Sequence, residues 1–540
     1  MKQTLSAMFA GIALLQSAAF AGGDTSTALP YWQDPAVVAV NKEAPRSAFI
    51  LYPDVKEALK GDISANPLVK PLNGRWAFRY YDSHRNLPAD ITGELADDSF
   101  RSLFTDSINV PGNWEVQGFG VPIYVNQPYE FSIKRPVPPQ LPDDVPVGVY
   151  TRSFTVPSSW DGNDIYLYVG GAKSGMYVYV NGREAGYSED SKDPAVFRIN
   201  PYLKKGENRL TLKIYRWSTG SYLECQDFWR ISGIERDVYL YSQPKVSVAD
   251  WSVRSSLTDG YRDGDFRLTV KVRNNTGSPC RRVVAFTLTD KGGNTVASAK
   301  APVTIKAGGE GTATFTDTIP GVRAWSAETP SLYRLAISLA DNSKGKPYEA
   351  LAANVGFRRV ELARSDRRDE NGNPYNVLLF NGKPIKLKGV NIHEHDPLTG
   401  HYVTEDLIRR DFELMKANNI NAVRLCHYPQ QDLFYDLADQ YGIYVYDEAN
   451  IESHGMGYNL RKGATLGNDP RFLTAHLDRT MNMFERNKNH PSVNFWSLGN
   501  EAGNGYNFYM TYNALKDADK GLMDRPVSYE RAQWEWNSDM

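Results

Sequence analysis

Trp496-Ser497-Leu498-Gly499-Asn500-Glu501-Ala502-Gly503 decides the reading of this chain. It closes the apolar run Val493-Asn494-Phe495-Trp496 with an Asn-Glu pair, where a strand gives way to a glycine-bearing loop. Buried parallel strands read as such runs, and barrel enzymes keep catalytic carboxylates at the C-terminal ends of their strands. Earlier in the chain, Tyr444-Val445-Tyr446-Asp447-Glu448-Ala449-Asn450-Ile451-Glu452-Ser453-His454-Gly455 repeats the arrangement. An apolar run again ends in carboxylates, here joined by a histidine.

Working outward, strand-like and helical runs alternate from about Phe357. Lys386-Leu387-Lys388-Gly389-Val390 leads to a helix that Thr404 can cap, with Glu405 and Asp406 in its first turn. Ile408, Phe412 and Met415 form its apolar stripe. Ala422-Val423-Arg424-Leu425 is the next strand. Leu433, Phe434, Leu437, Ala438 and Tyr441 line the following helix, which Gly442 terminates. A third helix is expected from about Pro470, with Phe472, Leu473, Leu477, Met481 and Phe484 inward, and a fifth strand at Val527-Ser528-Tyr529. Repeated βα units predict a parallel sheet.

The first half has a different texture. From about residue 24 to 243 it is dense in Tyr, Trp, Val and Thr, and Asn181-Gly182 after Tyr177-Val178-Tyr179-Val180 signals a hairpin. This predicts a β-sandwich. Residues 244–356 predict a second, immunoglobulin-like sandwich, from the alternation of Phe266-Arg267-Leu268-Thr269-Val270-Lys271-Val272 before Asn274-Asn275.

A chain of 540 residues holds about three domains at ~150 residues each. The net charge of −2 gives no sign of nucleic-acid or membrane-surface binding. Lys2, the apolar stretch Leu5 to Leu15 and Ala19-Phe20-Ala21 read as a signal peptide over residues 1–21, which predicts a secreted or periplasmic protein. No later segment offers the ~20 apolar residues of a spanning helix. Cys225, Cys280 and Cys426 are too few and too scattered for a disulfide framework or a cysteine metal cluster.

Seven of the eight histidines lie between His393 and His490, and His393, His395, His427 and His454 fall at or just after strand ends. Their grouping on one barrel face points to a substrate site. Glu452 and His454 sit two apart, so in an extended segment their side chains share a side. That chemistry alone leaves magnesium and zinc both open.

These two motifs resemble glycoside hydrolase family 2, and Asp447-Glu448-Ala449-Asn450-Ile451-Glu452-Ser453-His454-Gly455 resembles its β-galactosidase branch. The resemblance also runs through Pro111-Gly112-Asn113-Trp114-Glu115, Pro122-Ile123-Tyr124-Val125-Asn126, Asp190-Ser191-Lys192 and Arg216-Trp217-Ser218-Thr219-Gly220-Ser221-Tyr222-Leu223-Glu224. It implies a jelly-roll-like sugar-binding sandwich at 24–243, the immunoglobulin-like sandwich at 244–356, and a (β/α)8 TIM barrel beginning at 357. Five of that barrel's eight strands are legible, and the resemblance places the nucleophilic glutamate on a later strand, beyond Met540.

The resemblance further implies a retaining β-galactosidase with Glu501 as general acid/base and Asn500 on the sugar 2-hydroxyl. Mg²⁺ is implied on Glu452, His454 and Glu501. His393 and His427 are implied to contact the galactosyl ring, while Asn126 and Asp190 hold sugar hydroxyls, Asp190 beside Na⁺. The substrate is then a β-galactoside, with no nucleic-acid or membrane partner, and a homo-oligomer is compatible with the chain. β-Glucuronidase and β-mannosidase share the fold and the Asn-Glu pair. Outside this class stands an inert carbohydrate-binding fragment, which the missing strands favour. Glu224-Cys225-Gln226-Asp227 departs from the family's Glu-Asp-Gln-Asp wording, and this segment is expected to support the site only indirectly.

Overall fold

A computed structural model describes residues 29–93, 102–132, 136–459, 461 and 463–540. The expected signal peptide lies outside the described residues. The first sandwich pairs a seven-stranded antiparallel sheet with a four-stranded one. Its hairpin joins Gly175–Val180 to Arg183–Ser188 through Asn181 and Gly182, at φ 53° and 78°. Both residues have the left-handed backbone of the turn that matches strand twist. Inward residues of the two sheets, among them Trp76, Phe78, Leu167, Val178, Leu212 and Leu240, form one core.

The second sandwich has three strands (Val246–Leu257, Gly264–Asn274, Glu310–Ile319) facing four (Thr295–Ile305, Cys280–Thr289, Tyr333–Ala340, Glu349–Val355). Seven strands in two sheets is the count of an immunoglobulin-like domain. Tyr52 and the helical turn Val55–Lys60 pack on this unit, at Ala350, although in sequence they lie between the first sandwich's strands Ala39–Val40 and Val69–Pro71.

Alternating strands and helices do not begin at once after Phe357. Val360–Arg368 and Pro374–Phe380 first form an antiparallel hairpin. Its Val360 and Phe380 pack with Trp325, Tyr444 and Phe495. Tyr444 begins its strand, so the hairpin lies at the strands' N-terminal end, away from the site.

Five parallel strands follow, side by side in sequence order: β1 (Gly389–Ile392), β2 (Ala422–Leu425), β3 (Tyr444–Glu448), β4 (Val493–Ser497) and β5 (Val527–Ser528). Between them run α1 (Glu405–Ala417), α2 (Asp432–Tyr441), α3 (Leu473–Asn487) and α4 (Tyr506–Asp519). The Thr404 side chain caps α1 by accepting from the Leu407 N–H, and Ile408, Phe412 and Met415 are buried, as the periodicity predicts. Gly442 ends α2 at φ 74°. A Cβ there would lie 2.7 Å from the Ala327 carbonyl oxygen.

Helix α3 departs from its pattern. Leu473, Leu477 and Met481 are only half-buried, whereas His476, Arg479, Thr480, Asn482 and Asn487 are buried. Part of this polar face packs against the first sandwich, through Arg479. Arg479 donates to Glu224 Oε1 at 2.7 Å and to the Asn450 carbonyl at 3.0 Å, and lies 3.5 Å from Asp190 Oδ1. Removing one partner of a buried ion pair leaves an uncompensated charge costing about 3–5 kcal/mol. Arg479→Ala should therefore lower unfolding stability by that amount in urea titrations. An unchanged midpoint would mean that the interface stands without this pair. Among the described residues no helix is long and apolar enough to cross a membrane.

Candidate active site

Because β1 to β4 are parallel, the residues that follow their C-terminal ends share one face. His393 follows β1, His427 follows β2, Glu452 and His454 follow β3, and Asn500 and Glu501 follow β4. The His393 and His427 rings meet edge to face at 5.6 Å.

The organising group is Glu448, which the sequence motif contains but did not single out. It is fully buried at the end of β3. Arg424 donates to both its oxygens at 2.9 Å, Ser497 Oγ donates to Oε2 at 2.7 Å, and His427 Nδ1 lies 2.7 Å from Oε1. Burial alone would raise the Glu448 carboxyl, but the His427 hydrogen bond and the Arg424 charge hold it below the usual carboxylate range. With Nδ1–H donating to Glu448, His427 turns Nε2 the other way, 3.9 Å from Glu452 Oε2. Arg424 also donates to Asn500 Oδ1 at 2.9 Å, which turns the Asn500 amide nitrogen toward Glu452 and the ligand side. A charged residue inside the short strand Ala422–Leu425 was the available signal for Arg424.

Burial pushes His393 down to about 3, so its imidazole is neutral. Nδ1 lies 3.3 Å from the Tyr428 hydroxyl, and the ring stacks on Phe228 at 5.2 Å. Phe228 comes from the first sandwich's chain, and nothing in its local sequence marked it. His395 is exposed beside His401, at 5.9 Å between rings.

Glu452, His454 and Glu501 converge, each offering a ligand atom within 4.8 Å of the others. His454 Nδ1 is 2.9 Å from Glu501 Oε2, within ion-pair range but off hydrogen-bonding geometry. Adjacent ligands of an octahedral ion held at about 2.0–2.1 Å stand about 2.9 Å apart, so the spacing fits two donors facing one cation. Both Glu452 oxygens are buried without a hydrogen-bond partner. Burial drives that carboxyl well above the usual range, and Glu501 and Glu448 add to it; Asn500 offsets part without satisfying either oxygen. A buried, unsatisfied carboxylate beside an imidazole and a second carboxylate fits a divalent cation.

Glu501 has φ 36°, a left-handed backbone that costs a non-glycine residue about 1–3 kcal/mol and needs outside support. The support comes from the turn after β5, where Glu530 Oε1 accepts from the Glu501 N–H at 3.0 Å. Arg531 donates to Glu501 Oε1 at 3.0 Å. Neither Glu530 nor Arg531 was read as a site residue.

Asn126 and Asp190 lie outside this cluster. Asn126 is exposed in a loop whose next residue, Gln127, presents its carbonyl to Gly455, where a Cβ would lie at 2.9 Å. Asp190 is buried. Its Oδ1 accepts from Asn450 Nδ2 at 2.8 Å and from the Lys192 N–H at 3.1 Å, while Oδ2 has no partner. Burial opposes ionisation, but Arg479 and Lys42 hold this carboxyl down at about 2. Asp190 thus reaches the site through Asn450, two residues before Glu452.

The Glu224–Asp227 segment is closer to the site than expected. Cys225 N–H donates to the Glu452 carbonyl at 3.0 Å, and Glu452 N–H donates to the Leu223 carbonyl at 2.7 Å. Two backbone hydrogen bonds from the first sandwich therefore hold Glu452 itself. The Cys225 thiol donates to the Gln127 carbonyl at 3.2 Å, a role a carboxylate could not fill. A cavity of about 830 Å³ lies elsewhere, lined by Tyr168, Arg236, Asp432, Asp436 and His490, and holds none of the site's carboxylates.

Burial also holds His476 down at about 4. Its folded pKa is below its unfolded one, so the unfolded chain takes up the proton first as pH falls. The stability that neutral His476 contributes is present above about pH 6.5 and is lost as pH falls toward about 4. In urea titrations the stability gap between wild type and His476→Asn should shrink over that interval. A gap that widens toward pH 4 would contradict a neutral buried imidazole.

Residues 69–244 match the sugar-binding domain of Glycosyl hydrolases family 2, residues 246–358 match a further domain of Glycosyl hydrolases family 2, and residues 374–539 match its TIM barrel domain. The chain belongs to this family. Its relatives place it in the β-galactosidase branch. It is 38% identical to a β-galactosidase of Priestia megaterium over 518 residues, covering 93% of this chain and 47% of that one. It is likewise 38% identical to a β-galactosidase of Vibrio cholerae over 92% of this chain and 46% of the relative. The chain thus spans about half the length of the curated relatives it matches. Among solved structures, a Bacteroides uniformis β-glucuronidase has a TM-score of 0.67 at 20% identity, over 85% of this chain and 52% of that one. At that identity the likeness is one of fold.

Proposed function

We propose that the protein is a secreted or periplasmic retaining β-galactosidase releasing terminal, non-reducing β-D-galactose. One observation carries this reading: Glu501, at the C-terminal end of β4, converges with Glu452 and His454 beside an Asn500 oriented by Arg424. In the proposed reaction Glu501 protonates the departing glycosidic oxygen and later takes the proton from water. The Asn500 amide donates to the sugar 2-hydroxyl, and the neutral His393, with His427 beside it, lines the galactosyl ring. The five parallel strands and their helices form part of a TIM barrel, whose C-terminal strand ends carry this site.

Glu452, His454 and Glu501 would hold Mg²⁺, which supplies positive charge that tunes the acidity of Glu501. The unpartnered Asp190 Oδ2 supports a sodium ion there. A uronate-cleaving relative needs a cation for the sugar carboxylate. Among the described residues, the guanidiniums of Arg424 and Arg531 at the site are engaged, by Glu448 and Glu501, which favours a neutral sugar.

The test is hydrolysis of nitrophenyl β-galactoside, β-glucuronide and β-mannoside by the complete protein, with the anomer of the first product followed by NMR. Turnover of the galactoside with retention is expected. Preference for the glucuronide, or inversion, would overturn the assignment.

A further inference from the structure

The turn after β5 reaches across to Glu501 through more than one contact. Tyr529 anchors it by donating its hydroxyl to the Gly503 carbonyl and stacking on Phe508 at 4.1 Å. From this anchored turn Glu530 takes the Glu501 N–H, and Arg531 takes the carboxylate. The Arg531 guanidinium lies 3.9 Å from the centre of the Tyr458 ring and donates to the Tyr458 hydroxyl at 2.9 Å. Tyr458 in turn stacks on the His454 ring at 5.5 Å and 30°, and its hydroxyl donates to Glu501 Oε1 at 3.3 Å. Arg531, Tyr458 and His454 therefore form one stack, and Glu501 is tied into it at Oε1.

We infer that Arg531, with Tyr458, is a positioning residue that clamps two of the three cation ligands, Glu501 and His454, in place. This rests on the reading of Glu452, His454 and Glu501 as a divalent-cation site. The clamp divides the Glu501 carboxylate between two tasks. Oε1 is held by the guanidinium and the tyrosine, and Oε2 stays turned toward His454 Nδ1, 2.9 Å away. The ion is thus offered one Glu501 oxygen at octahedral spacing from the imidazole, rather than a chelating carboxylate. Fixed orientation matters here because an octahedral Mg²⁺ site tolerates little displacement of its ligands. Groups that hold ligands without touching the ion typically contribute 10–100-fold in affinity.

A positive charge beside a cation site also repels the ion, so the two effects of Arg531 oppose each other. Its charge is balanced locally by Glu530, whose Oε1 lies 2.9 Å from Nε, and both side chains are partly exposed to screening solvent. Orientation therefore outweighs repulsion.

The experiment is Mn²⁺ binding by the full chain, followed through the EPR signal of the free ion and by competition with Mg²⁺. It needs no turnover. Wild type should bind Mn²⁺. Arg531→Ala should bind it 10–100-fold more weakly, and Arg531→Lys should recover much of that loss. The double variant Glu530→Ala/Arg531→Ala leaves net charge unchanged and should also bind weakly. Thermal unfolding without metal should be nearly the same for wild type and Arg531→Ala. Wild-type affinity, or tighter binding, in Arg531→Ala and in the double variant would overturn the clamp and leave the cation site standing. A folded wild-type chain that binds no Mn²⁺ would overturn the cation site and the clamp with it.

Discussion

Glu501→Gln in the complete enzyme should slow hydrolysis of galactosides with poor leaving groups, such as lactose, by about 10²–10⁴-fold, the usual contribution of a general acid. The substitution keeps shape and volume but removes the proton. The amide that replaces the carboxylate can still meet Arg531 and Tyr458 through its oxygen, so the loop at φ 36° keeps its support. A galactoside with an acidic phenol as leaving group departs without protonation and should lose much less in the glycosylation step. The contrast between the two substrates is the informative readout. Equal losses for lactose and the aryl galactoside would argue against Glu501 as the acid, since a merely disordered site slows both alike.

The second large effect is expected at the cation site. Glu452 is a buried carboxylate with no hydrogen-bond partner, a costly arrangement until a cation arrives. Wild type should therefore gain stability with added Mg²⁺, by about 2.7 kcal/mol at a hundred times the dissociation constant. Chelation should remove that gain and lower activity. Glu452→Gln should lose at least the 10–100-fold in affinity that indirect supports provide, because it removes a ligand itself. Without metal the same variant should be no less stable than wild type, since the carboxyl it replaces is buried without a hydrogen-bond partner. Thermal unfolding of both proteins, with and without Mg²⁺, reads all four states. A wild type indifferent to Mg²⁺ and to chelator would remove the metal from this site. A metal-free Glu452→Gln that unfolds far below wild type would mean that the carboxylate has a structural partner.

The two effects are separable. Glu501→Gln removes the proton donor and also a charged cation ligand, so its leaving-group contrast should come with a partial loss of the Mg²⁺-dependent gain. Glu452→Gln should remove the Mg²⁺-dependent gain while leaving the proton donor in place.

What the sequence determined by itself is whatever repeats along one element. Thr404 and Gly442 are legible as a cap and a stop because capping is settled within a turn of the helix. The Asn181-Gly182 hairpin and the stripe Ile408, Phe412, Met415 follow from local backbone preference and from a period that selects one face. The motifs ending β3 and β4 point to a shared face, because parallel strands put their C-terminal ends together. Histidines and carboxylates so placed, with the family resemblance, single out Glu452, His454 and Glu501, which the structure brings within 4.8 Å.

Tertiary structure decided the partners. A helical period names a buried face but not what covers it. That is why α3 buries Arg479 and Asn487 where apolar residues were expected: the first sandwich brings Glu224 to Arg479, and Asp447 of β3 accepts from Asn487. Glu448 stands in a quoted motif, yet its importance depends on Arg424, His427 and Ser497 arriving from β2, the loop after it and β4. Arg531 lies thirty residues beyond Glu501 in a turn of ordinary composition, and nothing local distinguishes it from a solvated arginine. Electrostatic and hydrogen-bond energies depend on separations of a few ångströms. Residues far apart in sequence acquire those separations only when β2 to β5 are laid side by side and the first sandwich is docked against them.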